Sequence, residues 1–396
     1  MTDAQIKADV EAWLADNWTG ELPPATEQFG RDPRSAWLAK VRDAGYATPR
    51  WPADWYGRDY TNDQAKIVER AFAAAGAPGA GQDRTNLWAN TAFAHATPAF
   101  KHEIVPKLLA GEVGMCLLYS EPGAGSDLAA IRTRAERDGD DYVINGQKVW
   151  TSGAASADYG MLIARTDWDV PKHRGISFFF LPMKQAGVEV RPLRQVTDEA
   201  HFNEVFITDA RVPAANVLGP LNGGWSVLQT ALAYERSVMG DAARGPRSGA
   251  GGPKGDLSLL GLAKEAGKLG DPLIRQDVAR VIGYRMLNKL NTQRAKAEMA
   301  QGTSSPIMSL GKLAMSRILH EEARVRTALL GPESLLEGPD HPRAEDANFL
   351  TFNAYFTSIG GGTDQIQRNI IGERVLGLPK EPEVDRTIPF REVRAG

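Results

Sequence analysis

A single cysteine, Cys116, occurs in the 396 residues. One thiol closes no internal disulfide, so a reducing compartment is expected. The apolar neighbours of Cys116 make it a small buried hydrophobe. Positive charge is not in excess either. The 46 Lys and Arg against 49 Asp and Glu leave a net charge of −3, which offers nothing to nucleic acid or an acidic membrane surface. No apolar run reaches membrane-spanning length. The start, MTDAQIKADVEAWLADNW, is polar and carries acids, which argues against both a signal peptide and a transit peptide. A soluble cytoplasmic protein is expected, with no nucleic-acid partner, no membrane insertion and no metal site.

What is present changes texture twice along the chain. Up to about residue 118 the pattern is helical, with alanine-rich segments such as NDQAKIVERAFAAAG and ATPAFKHEIVPKLLAGE, punctuated by proline and glycine. Residues 119–221 read as strands. TRAERDGDDYVINGQKVWTS carries Asp138-Gly139 and Asn145-Gly146, both read as tight turns. GISFFFLPM, VEVRPLRQV and NEVFITDARV are rich in β-branched and aromatic residues and read as further strands. Helical periodicity returns from Gly223 to about Leu376. The chain therefore divides into a helical domain (1–118), a β-domain (119–221) and a helical domain (222–396). Within the last, residues 240–258, rich in glycine, proline and basic residues, read as a long loop.

Four stretches carry chemistry. In LLYSEPGAGSD, residues 117–127, Gly123 and Gly125 permit close backbone approach, and Ser120 and Ser126 add hydroxyls; such a loop suits a phosphate or a polar ring, or is simply a turn. In KVWTSG, residues 148–153, a tryptophan followed by two hydroxyls either stacks on a flat ring and bonds its edge or is a core tryptophan beside a turn. SIGGGTDQIQRNIIGERVLG, residues 358–377, places three glycines before a threonine well suited to cap a helix. In GGWSVLQTALAYERSVMG, Trp225, Leu228, Leu232 and Glu235 fall on one helical face. Glu235 either continues that stripe into a partly buried position, which would raise its pKa, or sits in solvent at a frayed helix end.

Taken in order, SEPGAGSD, YVINGQKVWTSGAASAD, FNEVFITDARVPAANVLG and GTDQIQRNIIGERVLG resemble the acyl-CoA dehydrogenase family over nearly the whole chain. The resemblance implies an α+β multidomain fold: an N-terminal helical domain, a middle β-barrel-like domain and a C-terminal four-helix bundle. It implies FAD as cofactor. Leu117, Tyr119, Ser120, Gly125 and Ser126 would line the flavin, Ser120 at the pyrimidine end of the ring and Ser126 between cofactor and thioester. Trp150 would pack on the isoalloxazine, with Thr151 beside it and Ser152 near N5. Thr363 and Gln365 would contact FAD from the C-terminal domain.

The reaction so implied removes an α-proton and a β-hydride from an acyl-CoA. It needs a carboxylate near Cα and donors on the thioester oxygen. In much of the family the carboxylate directly precedes the GT; here that position is Gly361, preceded by Gly360. In branched-chain members such as the isovaleryl-CoA dehydrogenases the base sits on the helix after the β-domain, before an arginine. Glu235 and Arg236 match those positions. The resemblance therefore implies Glu235 as base, Arg236 on the substrate side, and Gly361 and Gly362 against the thioester. It further implies a branched, cyclic or bulky acyl group, such as a side-chain thioester from lipid or steroid breakdown, and an electron-transfer flavoprotein as acceptor.

Two stretches depart from the family pattern. GKLGDPLIRQDVARV lacks the arginine–aromatic–glycine motif that reaches a neighbouring subunit's FAD, with Arg275 or Gln276 as substitutes. LLGPESLL replaces a glycine-rich turn. These departures fit an oligomer, homo- or hetero-, dimer or tetramer. A non-catalytic partner subunit, and a flavin oxidase or monooxygenase on the same fold, are the alternatives. Arg244, Arg247 and Lys254 in the 240–258 loop either attract CoA phosphates or are simply solvated.

Overall fold

The computed structural model describes residues 1–22, 30–242, 258–300, 308–383 and 385–394, and of residues 235–242, 296, 299, 300, 308 and 309 the backbone alone. The chain forms two compact units, Met1–Gln195 with Ala200–Ala242 and Glu383–Gly396, and Val196–Glu199 with Ala243–Pro382.

The first unit opens with six helices: α1 (Asp3–Asn17), α2 (Ser35–Asp43), α3 (Asn62–Ala75), α4 (Gln82–Thr85), α5 (Leu87–His95) and α6 (Pro98–Leu109). Local chemistry fixes their starts. Thr2 with Gln5 and Thr61 with Gln64 form reciprocal capping boxes on α1 and α3, and Thr97 caps α6 just before a proline in its first turn, where the missing N–H costs nothing. Ile6, Val10, Trp37, Val41, Val68 and Phe72 form a buried core beneath them.

Eight strands follow: β1 (Met115–Leu118), β2 (Arg134–Asp138), β3 (Asp141–Ser152), β4 (Tyr159–Arg165), β5 (Ile176–Pro182), β6 (Val188–Leu193), β7 (Phe202–Pro213) and β8 (Val217–Leu218). They form one sheet in the order β6-β7-β3-β2-β4-β5-β8, with β1 parallel to β4. The first strand starts three residues before the helical texture was expected to end, because Met115-Cys116-Leu117-Leu118 has no periodicity to distinguish it from a buried helix. Cys116 is fully buried, and burial raises its thiol pKa.

Of the two expected turns, only Asp138-Gly139 is one, with Asp138 opposite Asp141 and Gly139 at φ +61°. Asn145-Gly146 lies inside β3, at a register shift against β7. Asn145 donates to the Asp209 carboxylate (3.0 Å) and accepts from the Asp209 amide (3.0 Å), which seals the bulge. Gly146 is needed for space: a Cβ there would lie 2.3 Å from the Thr133 hydroxyl.

Helix α7 (Gly224–Ala242) completes this unit. A Cβ on Gly224 would meet the Ser177 backbone at 2.5 Å, so glycine lets the helix start hard against β5. Val227, Leu228 and Ala231 then join the core formed by Phe100, Met115, Tyr119, Met161 and Phe178.

The second unit is helical: α8 (Leu259–Glu265), α9 (Pro272–Ala300), α10 (Met308–Leu330), α11 (Pro342–Ile359) and α12 (Asp364–Ile370). Helix α10 packs against α9 and α11, over a core that includes Leu262, Val281, Val325 and Leu329. The expected long loop at 240–258 falls mostly outside the described residues; helix α7 runs to Ala242, and Ser258 caps α8. No helix among the described residues is long and apolar enough to cross a membrane.

Candidate active site

Strand β1 delivers the chain at Leu118 into the 119–127 loop. Glu121 and Ala124 exchange both backbone hydrogen bonds at 3.0 Å, which folds Pro122-Gly123 into a tight turn. Gly125 and Ser126 are exposed just beyond it. A Cβ on Gly123 or Gly125 would meet nothing within 4 Å, and neither has a positive φ. The protein's own packing therefore does not require glycine at either place, whereas a ligand approaching the backbone would.

Strand β3 holds this loop from beneath. The Val149 amide donates to the Ser120 carbonyl (2.9 Å). The wholly buried Lys148 ammonium donates to the Tyr119 carbonyl (3.1 Å) and to Glu121 Oε1 (2.8 Å). The amides of Arg132 (2.7 Å) and Thr133 (2.9 Å) donate to the same carboxylate. Burial alone would raise the Glu121 pKa, but the Lys148 charge and these donors leave it below the ordinary value, while burial lowers that of Lys148. The pair is an ionic staple under the loop. Glu121 lies within SEPGAGSD and Lys148 within KVWTSG, and neither motif marks them as a pair.

At the end of β3 the pairing with β7 slips between Lys148 and Thr151. Trp150 occupies that bulge at φ +63° and is 57% exposed, its ring edge-on to Phe202 with centroids 5.9 Å apart. A bulky residue in the left-handed region costs about 1–2 kcal/mol, and bulges of this kind re-aim side chains. Thr151 is fully buried, and its hydroxyl has no hydrogen-bond partner among the described residues. Its carbonyl accepts from Asn203 Nδ2 (2.9 Å). Ser152 is half-buried, opposite Phe202. Leu117 and Ser120 are half-buried and Tyr119 is buried. The structure thus places Leu117, Tyr119, Ser120, Gly125 and Ser126 on β1 and the loop that follows it, and Trp150, Thr151 and Ser152 at the end of β3, with the Val149–Ser120 hydrogen bond joining the two. An indole displayed at a conformational cost, beside an unbonded hydroxyl and bare glycines, fits a flat, polar-edged group such as a flavin.

Helix α7 carries the backbones of Glu235 and Arg236 four and five residues beyond the buried Ala231; their side chains lie outside the described residues. Arg244, Arg247 and Lys254 lie outside them altogether.

In the second unit the triple glycine ends α11. Gly360 is its C-cap, and Gly361 and Gly362 follow at φ +65° and +87°. Two successive left-handed residues are a backbone requirement for glycine. Thr363 caps α12 by accepting from the Ile366 amide (3.2 Å). Both flanks of the turn are pinned to α10. Lys312 Nζ donates to the Ser358 carbonyl (3.1 Å) and to Asp364 (3.0 Å); Ser316 Oγ donates to Asp364 (2.7 Å); His320 Nε2 lies 2.7 Å from Ser358 Oγ. Gln367 Nε2 donates to the Gly361 carbonyl (3.3 Å). Gln365 is exposed, as is Gln276 on α9. Gly331, at φ +61°, opens a short 3₁₀ turn where the glycine-rich turn was sought.

A helical block, a mixed sheet and a helical bundle, with a glycine loop after β1 and a tryptophan bulge at the end of β3, define the class. Residues 116–210 match the acyl-CoA dehydrogenase middle domain, and residues 222–376 the acyl-CoA dehydrogenase C-terminal domain. The acyl-CoA dehydrogenase IpdE1 of Mycobacterium tuberculosis is 35% identical over 395 residues, covering 95% of this chain and 98% of its own length. Among solved structures, the ChsE4-ChsE5 complex from Mycobacterium tuberculosis is similar with a TM-score of 0.66 at 28% identity, over 96% of this chain and 98% of that one. The Tcur3481-Tcur3483 steroid ACAD gives 0.67 at 25% identity, over 96% and 98%. The chain belongs to the acyl-CoA dehydrogenase family.

Proposed function

We propose that the protein uses FAD to introduce a double bond between Cα and Cβ of a branched, cyclic or otherwise bulky acyl-CoA, with Glu235 as the base that takes the α-proton. A bound flavin would supply the acceptor for the β-hydride, with an electron-transfer flavoprotein as the partner that would take the electrons. The observation that carries the cofactor is Trp150, held at positive φ and largely exposed in its bulge beside the unpartnered Thr151 hydroxyl. Trp150, Thr151, Ser152, Leu117, Tyr119, Ser120, Gly125 and Ser126 would hold the ring; Thr363, Gln365 and Gln276 are assigned to the remainder. Ser126 and Arg236 are assigned to the substrate, with Gly361 and Gly362 offering backbone amides to the thioester oxygen as negative charge develops there.

Glu235 carries the proton step because position 361 has no side chain and a backbone φ of +65°. Its place on α7 follows the apolar face that buries Leu228 and Ala231. A steroid- or ring-bearing substrate is supported by similarity to a steroid ACAD and by the absence of bulk at residues 360–362.

The test is a visible spectrum followed by anaerobic titration with a panel of acyl-CoAs. The wild type should be yellow and bleach with a bulky acyl-CoA. Glu235→Gln should keep the flavin and lose at least a thousandfold in bleaching rate, at the upper end of what a general base contributes, about 10²–10⁴-fold. Full-rate bleaching in that variant overturns the assignment.

A second reading is favoured by one observation. The glycine-rich turn is replaced by the 3₁₀ segment Gly331–Leu335, and similar structures include a two-protein complex. In this reading the chain works in a hetero-oligomer with a related subunit. A protein that is colourless alone and yellow when co-expressed with such a chain would establish it.

A further inference from the structure

After building the second unit, the chain returns to the first. Phe390 is fully buried there, its ring 3.5 Å from the Arg165 guanidinium carbon and 5.4 Å from the Trp168 ring. The Phe390 amide donates to the Val170 carbonyl (2.9 Å) and the Arg391 amide to the Trp168 carbonyl (3.0 Å). Arg391 also pairs with Asp169, and Arg132 Nη2 donates to the Val393 carbonyl (3.0 Å). Residues 385–393 are therefore a docked strap.

The groups that receive the strap also hold the 119–127 loop and its continuation. Lys172 Nζ donates to Asp385 Oδ2 (2.9 Å) on the strap and to Asp127 Oδ2 (2.8 Å) at the end of the loop. Its side chain is 6% exposed. Arg165, wholly buried, donates to the carbonyls of Ala129 (2.6 Å), Ile131 (3.2 Å) and Lys172 (3.0 Å). Arg132 reaches the strap through its side chain, while its amide bonds Glu121 within the loop. Lys172 bonds a side chain of both loop and strap, Arg132 bonds Glu121 through its amide and the strap carbonyl of Val393 through its guanidinium, and Arg165 joins the strap's Phe390 ring to the segment just after the loop.

We propose that residues 385–393 position the ligand-facing loop 119–127, and that Lys172 is the positioning residue joining them. The proposal rests on the reading of that loop as the flavin and thioester contact. Exposed Gly125 and Ser126 have no inward packing of their own. Their placement depends on what anchors Asp127, one residue further on. Two charge-assisted bonds at 2.8–2.9 Å on one partly desolvated ammonium are a stronger anchor than neutral bonds would be.

The experiment uses the full-length protein with three variants. Lys172→Met should accelerate amide hydrogen exchange across residues 119–133 in the flavin-free protein, leaving α1–α3 unchanged. In the loaded protein it should raise KM for acyl-CoA, or the flavin dissociation constant, by roughly tenfold with kcat within about twofold. Asp385→Asn, which weakens only the strap arm, should do the same by about threefold. Lys172→Arg should restore most of both. Unchanged exchange in Lys172→Met overturns the strap, as does faster exchange with unaltered KM and flavin affinity. Ser126→Ala and Gly125→Val separate the two levels. If they too leave ligand affinities unaltered, the loop assignment falls with the strap. If they weaken binding while Lys172→Met does not, only the strap falls.

Discussion

At the residue scale, the structure turns on charges and torsions that composition does not reveal. Lys148 is completely buried and has Glu121 as its partner. Lys148→Met would leave that carboxylate buried without a counter-charge, at a cost of about 3–5 kcal/mol. Adding Glu121→Gln removes the stranded charge and keeps an acceptor for one of the Arg132 and Thr133 amides, which use different carboxylate oxygens, so the double variant should recover part of the loss; urea unfolding midpoints measure both. Trp150 behaves in the opposite way. Trp150→Gly relieves a left-handed torsion and should change stability by less than about 1 kcal/mol, yet it should strip flavin from the purified protein, read as the 450-nm to 280-nm absorbance ratio. A protein that loses several kcal/mol and keeps its flavin would make Trp150 a packing residue.

At the element scale, caps and bulges decide what the chain presents. Thr363 caps α12, and Thr363→Ala should cost about 1 kcal/mol, with Thr363→Ser nearly neutral, both read by thermal melts of the flavin-free protein. The sequence was legible where local chemistry acts alone. Helical texture marked the segments of α3 and α6, β-branched and aromatic content marked β5–β7, and Thr363 announced its own cap. It was misleading at Asn145-Gly146, where the two residues favoured in a hairpin turn serve a bulge, because the close approach of Thr133 and the Asp209 partner come from distant segments. The bulge at Trp150 left no signal at all, since nothing in KVWTSG specifies a register slip. Of the candidate site, the loop after β1 and the end of β3 are neighbours through the Val149–Ser120 hydrogen bond. The Lys148, Arg165 and Lys172 anchors were not legible, because each depends on partners in other segments, such as Glu121, Ala129 and Asp385.

At the scale of the first unit, one carboxylate ties three segments. Asp158 accepts from Arg31 (3.1 Å), Lys184 (2.6 Å) and the Gly114 amide (2.9 Å). Burial would raise its pKa, but these donors hold it at about 2. The native state thus binds the proton less readily than the unfolded chain. The stabilisation is complete above the ordinary carboxylate value near 3.8 and is lost as pH falls towards 2. Melting temperature should therefore drop through that window, and Asp158→Asn should lower it at neutral pH while flattening the acid limb.

The strap has two kinds of hold, and salt distinguishes them. Arg165, its pKa lowered by burial to about 10, stays charged at neutral pH; carbonyl dipoles and the Phe390 ring surround it inside the unit. Mobile ions do not reach that contact. Asp127 and Asp385, by contrast, face water. Raising ionic strength from 0.1 to 1 M shortens the screening length from about 10 to about 3 Å, so the clasp at Lys172 weakens while the plug at Phe390 stays seated. The molecule carries a latch that brine loosens and a hinge pin that it does not.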